Sequence, residues 1–137
     1  MKISLDEYDK VNAIMPGLFQ FNPNEMFTQA ALAVTDSQLF FYDDNAPTQI
    51  MGEVHHYIIK KRVSLDEIVM VLNEKITNNR QLRNMGRLNF VMEDEDDSLI
   101  FYYYLNDKGD VSKFIKELSA CGIKTKKRTV DLSADKL

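Results

Sequence analysis

The residue types that most often carry out chemistry are few in this chain of 137 residues. His55 and His56 are its two histidines, and Cys121 is its single cysteine. Neighbouring residues in a strand point to opposite faces, so the two histidines are poorly placed to bind one metal ion. A nucleophilic cysteine needs a basic partner that lowers its pKa, and the sequence places none beside Cys121. We therefore expect ordinary strand histidines and a small core cysteine.

The acidic residues are the next candidates, because Ca²⁺ and Mg²⁺ bind where several oxygen atoms converge. Asp36, Asp43 and Asp44 lie near one another in sequence, and residues 93–97 form the run EDEDD. That run has neither the internal glycine nor the ligand spacing of an EF-hand loop. The sequence favours a solvated loop over a cation site. It also lacks a P-loop, GxGxxG, GxSxG or HExxH motif, so no enzyme, catalytic residue, metal or cofactor is predicted.

Two aromatic clusters are candidates for recognition of a protein partner. Residues 40–42 read FFY and residues 101–104 read FYYY. Strand alternation places successive aromatic rings on opposite faces, and tyrosine is enriched at protein interfaces because it joins a large apolar body to a polar tip. Ordinary cross-strand pairs on a wet face are the alternative. The candidate interface consists of Phe40, Tyr42, Tyr102 and Tyr104.

Basic residues form two short groups in a chain whose net charge is −4 and whose pI is about 5.2. A general nucleic-acid binder carries a basic surface, so no nucleic-acid partner is predicted. The two groups could still form a local patch for a phosphate-bearing ligand or an anionic membrane, and a solvated face is the alternative. The candidate patch contains Lys60, Lys61, Arg62, Lys126, Lys127 and Arg128.

The length fits one domain, and the segments that direct a chain to other compartments are not apparent. The start of the chain, MKISLDEYDK, lacks the apolar run of a secretory signal. The longest apolar runs, such as LIFYYYL, are too short to span a bilayer. A single unpaired cysteine fits a reducing compartment. We expect a cytoplasmic protein.

The elements that must position these residues follow from hydrophobic periodicity. A capping box at Ser4 and Glu7 predicts a helix over residues 4–15 that Pro16 and Gly17 would end. Short strands are predicted at 27–34, 39–42, 53–62, 88–92 and 99–105. Residues 64–76 fit either a capped helix or a turn followed by a strand at 68–75, and the strand is favoured because β-branched residues are dense there. Apolar residues at helical spacing predict a helix over 110–121.

Four pieces of the sequence, in this order, resemble the bacterial pleckstrin-homology-like domains. They are the tripeptide PNE at 23–25, the hairpin ALAVTDSQLFFY at 31–42, the segment VSLDEI at 63–68, and the helix at 110–121. The hairpin turn of that family usually carries a basic residue, whereas Ser37 and Gln38 are uncharged here. The departure weakens a phosphate-binding role for this turn.

The resemblance implies an α+β fold, a partly open antiparallel β-barrel of about seven strands closed by a C-terminal amphipathic helix. The expected organisation is an N-terminal helical extension at 1–22, the PH-like domain at 23–122 and a polar, mobile tail at 123–137. The expected function is a non-catalytic cytoplasmic binding module that acts through protein contacts, with self-association as an extension. The alternative is an anionic membrane or phosphate-ligand binder that uses the basic groups.

Overall fold

One large antiparallel sheet and one long helix make up most of the fold. The computed structural model describes residues 11–22, 24–43, 49–50, 54–55, 58–94 and 98–133. The strands are β1 (Ala13–Phe19), β2 (Thr28–Val34), β3 (Gln38–Asp43), β4 (Gln49–Ile50), β5 (Val54–His55), β6 (Ile58–Ser64), β7 (Ile68–Thr77), β8 (Met85–Met92), β9 (Leu99–Tyr104) and β10 (Lys124–Asp131). Helix α1 spans Lys108–Ala120, and short 3₁₀ turns occupy Leu65–Glu67, Arg80–Leu82 and Leu105–Asp107.

The main sheet has eight strands in the order β10-β7-β8-β9-β1-β2-β3-β6. Its neighbours pair antiparallel except at one edge, where β10 runs parallel to β7. Strands β4 and β5 form a separate two-stranded ribbon. The expectation of a mostly β fold with one amphipathic helix is confirmed. The sheet is open and has eight strands rather than about seven, because the chain returns to it after the helix.

The core lies on one face of the curved sheet and beneath α1. Phe41, Phe90 and Phe101 meet there, each with no exposed surface. The helix contributes Phe114 and Leu118, which are also fully buried. Complete burial of a Phe or Leu side chain contributes roughly 1.5–3 kcal/mol. The helix therefore holds the sheet through a few large side chains, and the apolar spacing at 110–121 predicted this face correctly.

The predicted N-terminal helix is wrong where it reaches the described residues. Residues 13–19 form β1, in which Ala13, Met15 and Phe19 are buried while Ile14 and Pro16 are exposed, a period of two rather than 3.6. Pro16 lacks an amide hydrogen, yet the strand tolerates it because pairing with β9 begins only at Gly17. The capping box at residues 4–7 lies outside the described residues.

The prediction of a mobile tail is wrong for residues 124–131. This segment pairs with β7 along its whole length, from Lys124 opposite Met70 to Asp131 opposite Thr77. Four lysines and arginines in eight residues suggested a solvated segment, and six of the eight residues are exposed, but the backbone still completes a parallel ladder with β7. The sheet therefore extends beyond residues 23–122 at both ends.

The hairpin of β2 and β3 and the strand β7 confirm two other predictions. Thr35 closes the hairpin, since its Oγ1 atom accepts hydrogen bonds from the amides of Ser37 and Gln38 at 3.3 and 3.1 Å. Asp36 instead accepts from the Nδ2 atom of Asn12 at 2.7 Å. Residues 65–67 form a 3₁₀ turn before β7, so the turn-and-strand interpretation of 64–76 was correct. The strand predicted over 53–62 is divided between β5 and β6.

Candidate ligand-binding site: a basic cleft beside the last strand

A buried carboxylate fixes the last strand to its neighbours. Glu74 on β7 is fully buried and forms ion pairs with Arg87 on β8 and Arg128 on β10. These residues are directly opposite one another in the strand registers. Burial alone would lower the pKa of Arg87, but hydrogen bonds with Glu74 and Tyr102 outweigh it and the pKa is raised. A buried charge needs such partners, so this cluster fixes the position of β10 relative to β7 and β8.

Polar side chains anchor the far end of β10. Thr77 Oγ1 donates to the carbonyl oxygen of Val130 at 3.1 Å, and Asn79 Nδ2 donates to that of Leu132 at 3.0 Å. Asn78 Nδ2 donates to Asp131 Oδ2 at 2.9 Å. The amide of Ser133, which donates to Asp131 Oδ1, lowers the pKa of Asp131 most, and the contact with Asn78 lowers it further. The strand is therefore held at its middle by an ion pair and at its end by hydrogen bonds.

An open cleft of about 560 Å³ lies where β7, β8 and β10 meet the segment before α1. Its lining contains four cationic residues and no Asp, Glu, His or Cys. The lining residues are Asn73, Lys75, Ile76, Arg83, Met85, Gly86, Tyr103, Leu105, Lys127, Arg128 and Thr129. Cations without carboxylates suit a bound anion, because ionised hydrogen-bond partners give shorter and stronger contacts than neutral ones.

A tyrosine packed against a glycine shapes one wall of this cleft. Tyr103 Oη donates to Asn73 Oδ1 at 2.6 Å. A Cβ atom on Gly86 would lie 2.4 Å from the Cζ and Oη atoms of Tyr103, so only glycine leaves room for the ring. Burial raises the pKa of Tyr103, while the hydrogen bond with Asn73 acts in the opposite direction. The Tyr103 hydroxyl is consequently neutral at physiological pH, and the ring forms one wall of the cleft.

The charges in the cleft differ in how far other groups compensate them. Arg128 is paired with Glu74, which fixes its guanidinium group. Within the described part of the chain, Lys75, Arg83 and Lys127 have no carboxylate partner. All three are exposed and need not pay a large desolvation cost in the absence of a ligand. By strand alternation Lys75 and Lys127 lie on the face of the sheet that Tyr103 occupies, whereas Arg128 pairs with Glu74 on the opposite face.

The two groups of residues in the predicted basic patch lie on strands that do not pair with each other. Lys60, Lys61 and Arg62 lie on β6, and β6 and β10 are at opposite ends of the strand order. The Arg62 guanidinium carbon is 5.1 Å from the centre of the Phe40 ring. The second group behaves differently, since Lys127 and Arg128 line the cleft directly. Sequence patterns missed Lys75 and Arg83, whose relevance depends on the ladder between β7 and β10.

The prediction of an exposed aromatic surface is wrong for three of its four residues. Phe40 and Tyr42 have no exposed surface, and only 5% of Tyr102 is exposed. The alternation itself is confirmed, because Phe41 and Phe101 point to the main core while their neighbours point to the other face. Tyr104 is half-buried. Two smaller clusters cover these rings. Phe40 and Tyr42 pack with Ala31 and Ala33, and Tyr102 packs with Leu82, Met85 and Leu132.

Cys121, the histidines and the acidic residues are the remaining candidates from the sequence. Cys121 is partly buried against the core, and burial together with Asp36 and Glu117 raises its pKa, which disfavours the thiolate. No group of three His, Cys, Asp or Glu side chains converges among the described residues. The His55 side chain, His56, Asp44 and residues 95–97 lie outside what the structure describes.

Comparison with solved structures gives the fold. The chain is similar to a structure of Vav1 (TM-score 0.53, 11% identity), covering 87% of this chain and 20% of that one. It is similar to the linker-DH/PH domains of p115-RhoGEF (0.51, 7%), covering 84% and 30%. It is also similar to the hSac2 domain of the human phosphoinositide phosphatase Sac2 (TM-score 0.51, 15% identity), and this similarity covers 96% of this chain and 83% of that one.

The chain spans only about a fifth of the Vav1 structure and less than a third of the p115-RhoGEF structure. No known sequence family matches it, and no curated protein sequence does either. At such low identities the likeness establishes a PH-like fold and nothing about ligands. Among the described residues, no helix is both long and apolar enough to cross a membrane.

Proposed function

We propose that this PH-like chain is a non-catalytic binding module that binds an anionic ligand in the cleft between β7, β8 and β10. The observation that carries the proposal is the lining of Lys75, Arg83, Lys127 and Arg128 without a single acidic residue. A net charge of −4 makes this local excess of positive charge more informative than it would be in a basic protein. The buried pair of Arg128 with Glu74 fixes the position of β10, the strand that also carries Lys127.

Phosphate is the anionic group that this site suits best. Arg83 can form two parallel hydrogen bonds to a phosphate, and Lys75 and Lys127 can each approach as a point charge. The Thr129 hydroxyl adds a neutral donor at the rim. The hSac2 domain, to which this chain is similar, comes from a phosphoinositide phosphatase, an enzyme whose substrates carry phosphate groups. Catalysis is not part of the proposal, because His, Cys, Asp and Glu are absent from the lining of this cleft.

Calorimetric titration with pyrophosphate tests the proposal. The double variant Lys75→Gln/Lys127→Gln removes two cleft cations, and Lys60→Gln/Lys61→Gln removes two cations from β6 with the same change in net charge. We expect the first variant to weaken binding by at least tenfold and the second to change it less than twofold. Absence of binding by the unmodified protein, or equal weakening by both variants, would show that the cleft is not an anion site.

Protein contact, including self-association, is a second candidate. It is favoured by the two outer strands of the open sheet, since among the described residues β6 and β10 each have one neighbour in the strand order. A partner strand could add to either edge through backbone hydrogen bonds. Lysines and arginines on both edges disfavour pairing with an identical edge. Light scattering across a concentration series is the test, and a strict monomer at high concentration rules out the homo-oligomer.

The bacterial assignment and the cytoplasmic location are also proposals. The first rests on the order of the four sequence pieces at 23–25, 31–42, 63–68 and 110–121. The second rests on a single cysteine, which fits a reducing compartment. Labelling Cys121 with a thiol reagent in intact cells tests the location, because an oxidising compartment would leave less of this thiol free.

A further inference from the structure

The two outer edges of the sheet differ in their backbone pairing. The ladder between β10 and β7 runs from Lys124 to Asp131 without a shift in register. The ladder between β6 and β3 shifts between Phe41 and Tyr42, which leaves Lys60 as an extra residue, and such a bulge twists an edge away from further pairing. Among the described residues, no strand pairs with the outer side of β10. The edge of β10 is therefore regular enough to accept one more strand.

The backbone of this edge is a preformed template. Alternate residues of a strand point their amide and carbonyl groups to opposite sides, so the ladder with β7 leaves the other half directed outward. The strand is also held in place, because Arg128 pairs with the buried Glu74 and Thr77 Oγ1 donates to the carbonyl oxygen of Val130. An arriving strand is therefore spared the entropy cost of ordering β10.

The side chains along the edge select the chemistry of an incoming strand. Lys124, Lys126 and Arg128 alternate along β10, so all three lie on the face of the sheet that carries Glu74. Lys127 lies on the opposite face, and six of the eight residues in β10 are exposed. Like charges directly opposite each other destabilise strand pairing, whereas opposite charges stabilise it. The edge therefore repels a basic strand and favours an acidic one.

Two of these lysines are available to a partner. Within the part of the chain that the structure describes, Lys124 and Lys126 have no carboxylate partner, and neither of them lines the basic cleft. They are two positions apart, about 7 Å along the strand, which is also the spacing of residues on one face of an added strand. A second copy of the chain offers only basic outer strands among its described residues, so it fits this edge poorly.

We infer that the outer edge of β10 binds an extended acidic segment of a partner protein. The segment adds to the sheet as a further strand, and its carboxylates lie opposite Lys124 and Lys126. The inference goes beyond anion binding in the cleft, and it specifies both the edge and the partner chemistry for the second candidate function.

The test is a titration of the isotope-labelled protein with a peptide of alternating Glu and Thr that is as long as β10. We expect amide NMR shifts at residues 124–131. Amide exchange should slow at every second residue of that range, because the alternate amides already face β7. Lys124→Gln/Lys126→Gln should weaken peptide binding about tenfold, whereas Lys60→Gln/Lys61→Gln, with the same change in net charge, should alter it less than about twofold.

A second peptide separates strand addition from simple attraction between charges. It has the same sequence and charge, but two neighbouring central amides carry N-methyl groups, and one of the two must face β10 because alternate amides point to opposite edges. We expect this peptide not to bind at concentrations at which the first one saturates the protein. Equal binding of the two peptides overturns the inference, and so does equal weakening by the two double variants.

The remaining outcomes distinguish this inference from the anion site in the cleft. Lys124→Gln/Lys126→Gln should change pyrophosphate affinity less than about twofold, since neither lysine lines the cleft. Failure of the first peptide to bind a protein that still binds pyrophosphate overturns the inference alone. A homodimer that Lys124→Gln/Lys126→Gln dissociates also overturns it, because the edge would then be occupied by a second copy of the chain.

Discussion

Strands β6 and β10 are the two edges of the same sheet, and each carries a group of basic residues. On β6, Arg62 lies over the ring of Phe40, while Lys60 and Lys61 are exposed. On β10, Arg128 pairs with a buried glutamate and Lys127 lines a cleft. The two groups look alike in sequence. They differ because β10 lies beside a strand that supplies both a buried carboxylate and a concave surface.

The difference teaches that a basic run becomes a candidate site through its neighbours. A fully solvated lysine gains little from a passing anion, because water and salt screen the interaction. A lysine at a concave edge shares the anion with other cations, and each charge-assisted hydrogen bond is worth roughly 1.5–3 kcal/mol. The comparison therefore predicts that charge removal has unequal effects at the two edges.

The largest expected effect comes from removing the buried carboxylate that holds β10. Glu74→Gln removes the anionic partner of the largely buried Arg87 guanidinium group. The free energy of unfolding should therefore fall by about 3 kcal/mol. Urea denaturation measures the loss, and Glu67→Gln, at an exposed carboxylate, is the control. A loss below about 1 kcal/mol would contradict the structural role of Glu74.

A smaller effect is expected at the glycine beneath Tyr103. Gly86→Ala places a methyl group where the Tyr103 ring lies, and overpacking of this kind costs about 1–3 kcal/mol. The same change should weaken pyrophosphate binding, because the displaced ring would occupy the cleft. Adding Tyr103→Ala removes the clash. Partial recovery of pyrophosphate affinity in the double variant is the expected result, and an unperturbed Gly86→Ala protein would contradict the described packing.

The two arginines should respond differently to the same substitution. Arg128→Gln removes a partner of the buried Glu74, so the loss in unfolding free energy should exceed that of Arg62→Gln. The latter removes a cation–π contact at an exposed site, worth about 0.5–1 kcal/mol. Thermal unfolding of both variants in parallel measures the difference. Equal losses would mean that the two edges are held in the same way.

The smallest expected effect is the pH dependence of the end of β10. The pKa of Asp131 is lowered in the folded protein from its ordinary value of 3.8. Its contribution is therefore fully present above that value and is lost as the pH falls through the folded pKa. The protection factors of the amides of residues 130–133, which correct for the intrinsic pH dependence of exchange, should fall with decreasing pH in the unmodified protein and change less in the Asp131→Asn variant. Identical acid profiles would contradict a role for this carboxylate.

The predictable parts of the fold were those with strong local signals. The helix α1 follows from Val111, Phe114 and Leu118 at helical spacing, and the β2–β3 hairpin follows from Thr35 between two apolar runs. Residues 13–15 were predicted as helix because the helix that the capping box at Ser4 and Glu7 begins was expected to continue as far as Pro16. The strand prevails because β1 pairs with both β2 and β9, and local spacing does not report such tertiary pairing.

The candidate site was only half predictable for the same reason. Lys127 and Arg128 stand out in the sequence as part of a basic run, and in the structure both line the cleft. Their setting depends on a parallel ladder between residues 68–77 and 124–131, which lie on either side of α1 in sequence. Local patterns also cannot show that Tyr102 is covered by residues such as Phe27 and Leu132. The prediction that Tyr102 lies on an exposed aromatic surface was wrong for this reason.

The most direct test of the account is a titration of the isotope-labelled protein with pyrophosphate, followed by amide NMR shifts. The account predicts that the shifts cluster at residues 73–86 and 124–131 and that β6, at residues 58–64, stays unchanged. The Lys75→Gln/Lys127→Gln variant should lose these shifts at the same pyrophosphate concentrations. Shifts centred on β6, or equal in both proteins, would contradict the claim that the edge formed by β7 and β10 is the binding site.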